Sequence, residues 1–142
     1  KPLVELVRGL ETSDETLQRA RQLAEVMGKT AIEVYEWPGY ATTRIIIPLI
    51  NEAMYVVMEN VASAADVDIA MSKGCGMQKG PLHLADEMGL DAVLAQSEHL
   101  FRELGDLKYR PCPLLKKMVR AGHLGVKTGR GFFTYNHENK RE

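Results

Sequence analysis

The stretch Ile45-Ile-Ile-Pro-Leu-Ile-Asn-Glu-Ala-Met-Tyr-Val-Val-Met58 constrains this chain more than any other. Its fourteen residues are almost wholly apolar, broken by Pro48, Asn51 and Glu52. A membrane-crossing helix needs about 20 clean apolar residues, whereas a run of about 10–14 marks a buried helix. The run therefore reads as the central helix of a water-soluble core or of a subunit interface, with no membrane span. The rest of the chain agrees with a small globular protein. It has 142 residues, 45% hydrophobic and 26% charged, close to the usual balance for a folded domain. Eighteen basic residues against nineteen acidic ones leave no positive excess. That argues against nucleic acid as a partner. Cys75 and Cys112 are too few for a secreted disulfide framework and point to a reducing, cytoplasmic setting. Lys1 is not an initiator methionine and no signal-like segment follows it, so the sequence reads as beginning partway through a gene product.

Patterning divides the chain at Trp37-Pro38-Gly39, where proline and glycine punctuate the backbone. Before it, Leu3, Val4, Leu6 and Val7 suit a strand that Gly9 helps to end. Thr12-Ser-Asp-Glu15 has the form of a capping box. It opens a helix with Leu17, Ala20, Leu23, Ala24 and Met27 on one face and Gly28 at its stop. Thr30 to Tyr35 alternates like a second strand. After the break come helices: about Ala41 to Asn60 with a bend at Pro48, a short one capped by Ser63, one begun by Pro81, Leu90 to Leu104, and Pro113 to Ala121. Phe132 to Tyr135 reads as a final strand and the last seven residues as a polar tail. A lone strand–helix–strand piece leaves apolar edges unpaired. This suggests the end of an α/β domain whose main part lies upstream.

Few motifs carry chemistry on their own. Gly74-x-Gly76-x-x-x-Gly80 imitates a dinucleotide loop in letters, but a helix rather than a strand precedes it. A structural connection is the stronger reading. In Gly122-His-Leu-Gly-Val-Lys-Thr-Gly-Arg-Gly131, Lys127 and Arg130 could wrap an anion, yet the Walker register is absent. A tie between the last helix and the final strand competes with contact to a phosphate-bearing substrate or a neighbouring subunit. His83, His99, His123 and His137 have no zinc spacing with either cysteine, so no metal site is expected. Glu5 is different, because it sits among Leu3, Val4, Leu6 and Val7. An unpaired carboxylate buried there would cost on the order of several kcal/mol. Either an ion pair satisfies it, or it is an acid that orients a catalytic histidine and supports the imidazolium. No histidine of this chain is an obvious partner.

Taken in order, several pieces resemble one family: Lys1-Pro-Leu-Val-Glu-Leu-Val-Arg-Gly9, Pro38-Gly-Tyr40, Pro48-Leu-Ile-Asn-Glu-Ala53, Gly80-Pro-Leu82, Gly89-Leu-Asp91, Lys108-Tyr-Arg-Pro-Cys-Pro-Leu-Leu-Lys116 and Lys127-Thr-Gly-Arg-Gly-Phe132. Together they are similar to the C-terminal half of L-3-hydroxyacyl-CoA dehydrogenases, most like bacterial 3-hydroxybutyryl-CoA dehydrogenases. The resemblance implies a mainly α fold. Residues 1–37 would be the last strand–helix–strand of an NAD-binding Rossmann domain. Residues 38–142 would form a helical dimerisation and substrate domain like the C-terminal domain of 6-phosphogluconate dehydrogenase. It further implies NAD held by the upstream domain, a short-chain acyl-CoA as substrate, and a homodimer. Glu5 matches the family glutamate that orients a general-base histidine about a dozen residues earlier, outside this sequence. The family pattern Pro-Gly-Phe-x-x-Asn-Arg departs here to Pro38-Gly-Tyr-Ala-Thr-Thr-Arg44, with Thr43 in place of the substrate-site asparagine. Gly76-Met-Gln-Lys79 likewise replaces the usual Asn-His-Pro-Met.

The leading expectation is thus the C-terminal part of an NAD-dependent 3-hydroxyacyl-CoA dehydrogenase, inactive as an isolated piece. Two alternatives stand beside it. One is a stand-alone helical module that has lost catalysis and kept dimerisation or acyl-CoA binding, as Thr43 suggests. The other is a dehydrogenase of the same two-domain plan acting on sugar acids.

Overall fold

The computed structural model describes residues 1–142, which divide into two compact units, residues 1–44 and 45–142. In the first unit, β1 (Leu3–Arg8), α1 (Asp14–Val26) and β2 (Thr30–Tyr35) follow one another. The strands pair in parallel, with Leu3 opposite Thr30 and Arg8 opposite Tyr35. A parallel pair needs a crossover, and α1 supplies it. The start of α1 differs by one residue from the capping box. Ser13 is the cap, accepting from the Thr16 amide, while Thr12 accepts from the Gly9 amide. Glu15 pairs with Arg19 one turn on instead of reaching back. On the expected inner face of α1, Ala24 is buried, but Leu23 and Met27 are 61% and 60% exposed. Two strands cannot cover the whole apolar stripe of a 13-residue helix.

The chain then enters α2 (Thr42–Met58), which continues through Pro48. In the second unit the helices are α3 (Ala64–Ile69), α4 (Pro81–Met88), α5 (Leu90–Leu104) and α6 (Pro113–Arg120). Their starts follow local chemistry. Ser63 accepts from the Asp66 amide at α3, and Pro81 and Pro113 open α4 and α6, where a missing N–H is no loss. Ile47, Ile50, Ala53 and Met54 of α2 meet Val67, Leu82, Ala85, Leu90, Val93, Leu100 and Leu115 in one apolar cluster. The long apolar run is therefore used for the chain's own core, with Ile45 left 69% exposed. No helix is long and apolar enough to cross a membrane.

The C-terminal stretch differs from the expected strand, and its polar tail is folded back. Phe132 to Tyr135 forms no regular strand, only single bridges such as Arg130 to Thr134. The Phe132 and Phe133 amides donate to the Asp86 carboxylate at 2.9 and 3.0 Å, which removes them from any ladder. The tail folds back through a bridge between Tyr135 and Arg141. Arg141 stacks over the Phe133 ring at 3.3 Å and lies 3.6 Å from Asp68.

Candidate functional site

Glu5 lies mid-way along β1, opposite Ile32. Beyond β2, the Trp37-Pro38-Gly39-Tyr40 turn reverses the chain, with Gly39 at φ +79° and Tyr40 at φ +46°. The turn brings the start of α2 onto the Glu5 carboxylate. Oε1 accepts from the Ala41 and Thr42 amides, each at 3.0 Å. Oε2 accepts from the Thr42 hydroxyl at 2.9 Å. The ion-pair alternative is not met, since no cation of this chain pairs with Glu5. The first amides of a helix have no intrahelical acceptor and carry partial positive charge, which suits an anion. Burial alone would raise the Glu5 carboxyl, but the three hydrogen bonds outweigh it and hold it below its ordinary value. The group is an anion at neutral pH. An ionised carboxylate has about four acceptor positions. Three are filled, which leaves one on Oε2.

Thr43, half-buried, is the neighbour of the residue that contacts Glu5. The structure brings Glu5 and Thr42 together, and reading the sequence missed Thr42. Its signal is faint: a hydroxyl beside a proline–glycine turn, ahead of an apolar helix.

The first unit has no glycine-rich phosphate loop between β1 and α1. A hollow at the carboxyl ends of the two strands is lined by Arg8, Gly9, Leu10, Tyr35 and Glu36. Ligands of open α/β sheets bind at such ends. No run of glycines joins β1 to α1 here, and the one cation of the hollow, Arg8, is bound by Asp14 and Glu33. The Asp14 contact, the larger influence, raises the Arg8 guanidinium further above its ordinary value.

In the second unit, both glycine-bearing loops are tied into the chain's own packing. Gly80 packs against the Asp68 side chain. The Asp68 carboxylate accepts from the Leu82 and His83 amides at 2.9 and 3.0 Å. The start of α4 therefore already holds the chain's own anion and offers no pyrophosphate site. In the basic loop, Lys127 is committed to Asp91 at 2.7 Å. Gly125, at φ +97°, lies against the Asp86 backbone, where any side chain would collide. Buried Asp86 also accepts from the Tyr135 hydroxyl at 2.8 Å. Burial pushes its carboxyl up, against the pull of the Phe132 and Phe133 amides and the Tyr135 hydroxyl. Burial and the Asp86 hydrogen bond raise the Tyr135 phenol as well. No group of three or more histidine, cysteine or acidic side chains is placed to hold a metal ion. His83 lies 3.6 Å from Glu87 one turn along α4.

These elements match known proteins over almost the whole chain. Residues 39–135 match the family "3-hydroxyacyl-CoA dehydrogenase, C-terminal domain", and residues 1–37 match "3-hydroxyacyl-CoA dehydrogenase, NAD binding domain". The chain belongs to the 3-hydroxyacyl-CoA dehydrogenase family. It is 53% identical over 133 residues to a protein of Bacillus subtilis named probable 3-hydroxybutyryl-CoA dehydrogenase, covering 94% of this chain and 46% of that one. It is 50% identical over 133 residues to a protein of the same name from Deinococcus radiodurans, covering 94% and 48%. The crystal structure of (S)-3-hydroxybutyryl-CoA dehydrogenase from Ralstonia eutropha superposes with a TM-score of 0.91 at 48% identity, over 95% of this chain and 48% of that one. The chain thus spans about half the length of the dehydrogenases it matches. Glu5 falls within the part that matches the family's NAD-binding domain, and Thr42 and Thr43 within the helical part.

Proposed function

We propose that this chain is the C-terminal portion of an NAD-dependent 3-hydroxybutyryl-CoA dehydrogenase, which oxidises the 3-hydroxyl of a short-chain acyl-CoA. Residues 1–37 close the NAD-binding domain in this reading, and residues 38–142 form the helical domain. The observation that carries it is the Glu5 carboxylate, kept ionised by the start of α2 with one acceptor position open. Such a group orients an imidazole N–H and stabilises the imidazolium formed when the histidine takes the hydroxyl proton. In this reading that histidine and the phosphate loop for NAD lie in the part of the relatives' length that this chain does not span. Exposed apolar side chains support a covering half: Leu10 is 103% and Val26 85% exposed, beside Leu23 and Met27. Homodimerisation and a cytoplasmic setting belong to the same reading.

The test is steady-state reduction of acetoacetyl-CoA by NADH in the full-length protein. Glu5→Gln should lower kcat about a hundredfold or more, the scale of lost general acid–base support, with KM little changed. An unchanged kcat would refute the role of Glu5. Thr43 favours a second reading, a non-catalytic dimerisation or acyl-CoA-binding module, because its hydroxyl is shorter than an asparagine amide and supplies one donor where the amide supplies two. Acyl-CoA binding without turnover by the unaltered full-length protein would select it.

A further inference from the structure

We propose that Thr42 is a positioning residue for the reaction, acting through Glu5 and fixing which carboxylate oxygen meets the histidine; this rests on the function proposed above. The argument is one of occupied acceptor positions. Both places on Oε1 are filled, by the amides of Ala41 and Thr42. The histidine N–H must therefore go to Oε2, the oxygen that also accepts from the Thr42 hydroxyl. That hydroxyl is the single donor to Oε2 in this unit, and it comes from a side chain rather than the backbone. It also stands at one of the unspecified positions of the family pattern, next to Thr43, where the family asparagine is missing. A polar contact absent at 43 is thus accompanied by a hydroxyl contact at 42.

Two consequences follow for the histidine. The Thr42 hydroxyl holds the carboxylate plane, which sets the imidazole's orientation. By sharing the negative charge on Oε2, it also limits how strongly Glu5 stabilises the imidazolium. Its removal should loosen the first and strengthen the second. The histidine would then stay protonated to higher pH.

The experiment compares the full-length wild-type enzyme with Thr42→Val, which keeps the amide and the volume and removes only the hydroxyl. Oxidation of 3-hydroxybutyryl-CoA is followed across pH. A fall of about tenfold in kcat is expected, equivalent to roughly 1.4 kcal/mol and typical of one hydrogen bond to a charged group. KM should change less than twofold, and the acidic limb of kcat/KM should move to higher pH. Thr42→Ser should restore both the rate and the limb. A purely structural role would lower the melting temperature and the active fraction equally at every pH, leaving the limb in place, and would overturn the proposal. If Thr42→Val fails to fold, Thr42→Ala carries the same measurement. Glu5→Gln separates the two levels. A crippled Glu5→Gln beside an unaffected Thr42→Val defeats the Thr42 proposal and leaves the function standing. An active Glu5→Gln defeats both.

Discussion

At the scale of single residues, the acidic groups of this chain differ in what surrounds them. Glu5 accepts from the open amides of a helix start and stays ionised, whereas burial works against the charge on Asp86. The signs of their contributions to stability are therefore opposite. A carboxyl lowered by folding stabilises the protein above its ordinary value, 4.5 for Glu5, and this is lost as pH falls through the folded value. A carboxyl raised by folding, as for Asp86, contributes most below about 3.8 and less as pH rises. Asp86 is common to the wild type and Glu5→Gln, so its contribution cancels between them. The melting temperature of the wild type should exceed that of Glu5→Gln at pH 6, with the gap shrinking below pH 4.5. Thermal unfolding between pH 3 and 6 tests this, and a gap independent of pH would refute it.

At the scale of elements, α2 shows how one polar residue can organise an apolar helix. Asn51 is buried, with its Nδ2 donating to the Arg110 carbonyl at 2.9 Å and its Oδ1 accepting from the Cys112 amide at 2.7 Å. Two backbone groups in the link between α5 and α6 are satisfied by one side chain. The apolar run announces this helix, and Asn51 stands in it as the anomaly, but its partners are 59 and 61 residues away. Asn51→Leu should lower stability by about 2 kcal/mol, because burying the two unpaired backbone groups outweighs the added apolar contact. Urea denaturation read by circular dichroism measures it. A loss below about 0.5 kcal/mol would show that water or a backbone shift replaces the amide.

At the scale of the whole molecule, the chain combines a second unit with its own apolar core and a first unit with little core of its own. In the first unit Ala24 is the single buried apolar residue, and Leu10, Leu23, Val26, Met27, Tyr35 and Trp37 are exposed. An apolar surface of that extent calls for a cover, and in the proposed function the rest of the NAD-binding domain would provide one. In the second unit, Ile69 and Leu107 are 57% and 71% exposed after the core has formed. The proposed homodimer predicts that the full-length protein sediments as a dimer at micromolar concentration. A stable monomer in sedimentation velocity would remove the homodimer from the proposed function.

Up to Arg120 the sequence by itself determined the order and kind of the elements: strand, helix and strand, then five helices. These are local matters. Period, proline, glycine and a capping serine act over a few residues, and each left its mark at Gly28, Ser63, Pro81 and Pro113. It also marked Glu5 as a carboxylate in need of a partner, since the apolar neighbours are adjacent in sequence. Only the tertiary structure decided what satisfies these polar groups. Glu5 finds its donors 36 and 37 residues away, and Asp86 finds the Phe132 and Phe133 amides 46 and 47 residues away. That second capture is why the Phe132–Tyr135 stretch, β-like in its residues, forms no ladder. A hydrogen bond over such separations depends on where whole elements pack, and no local pattern encodes that.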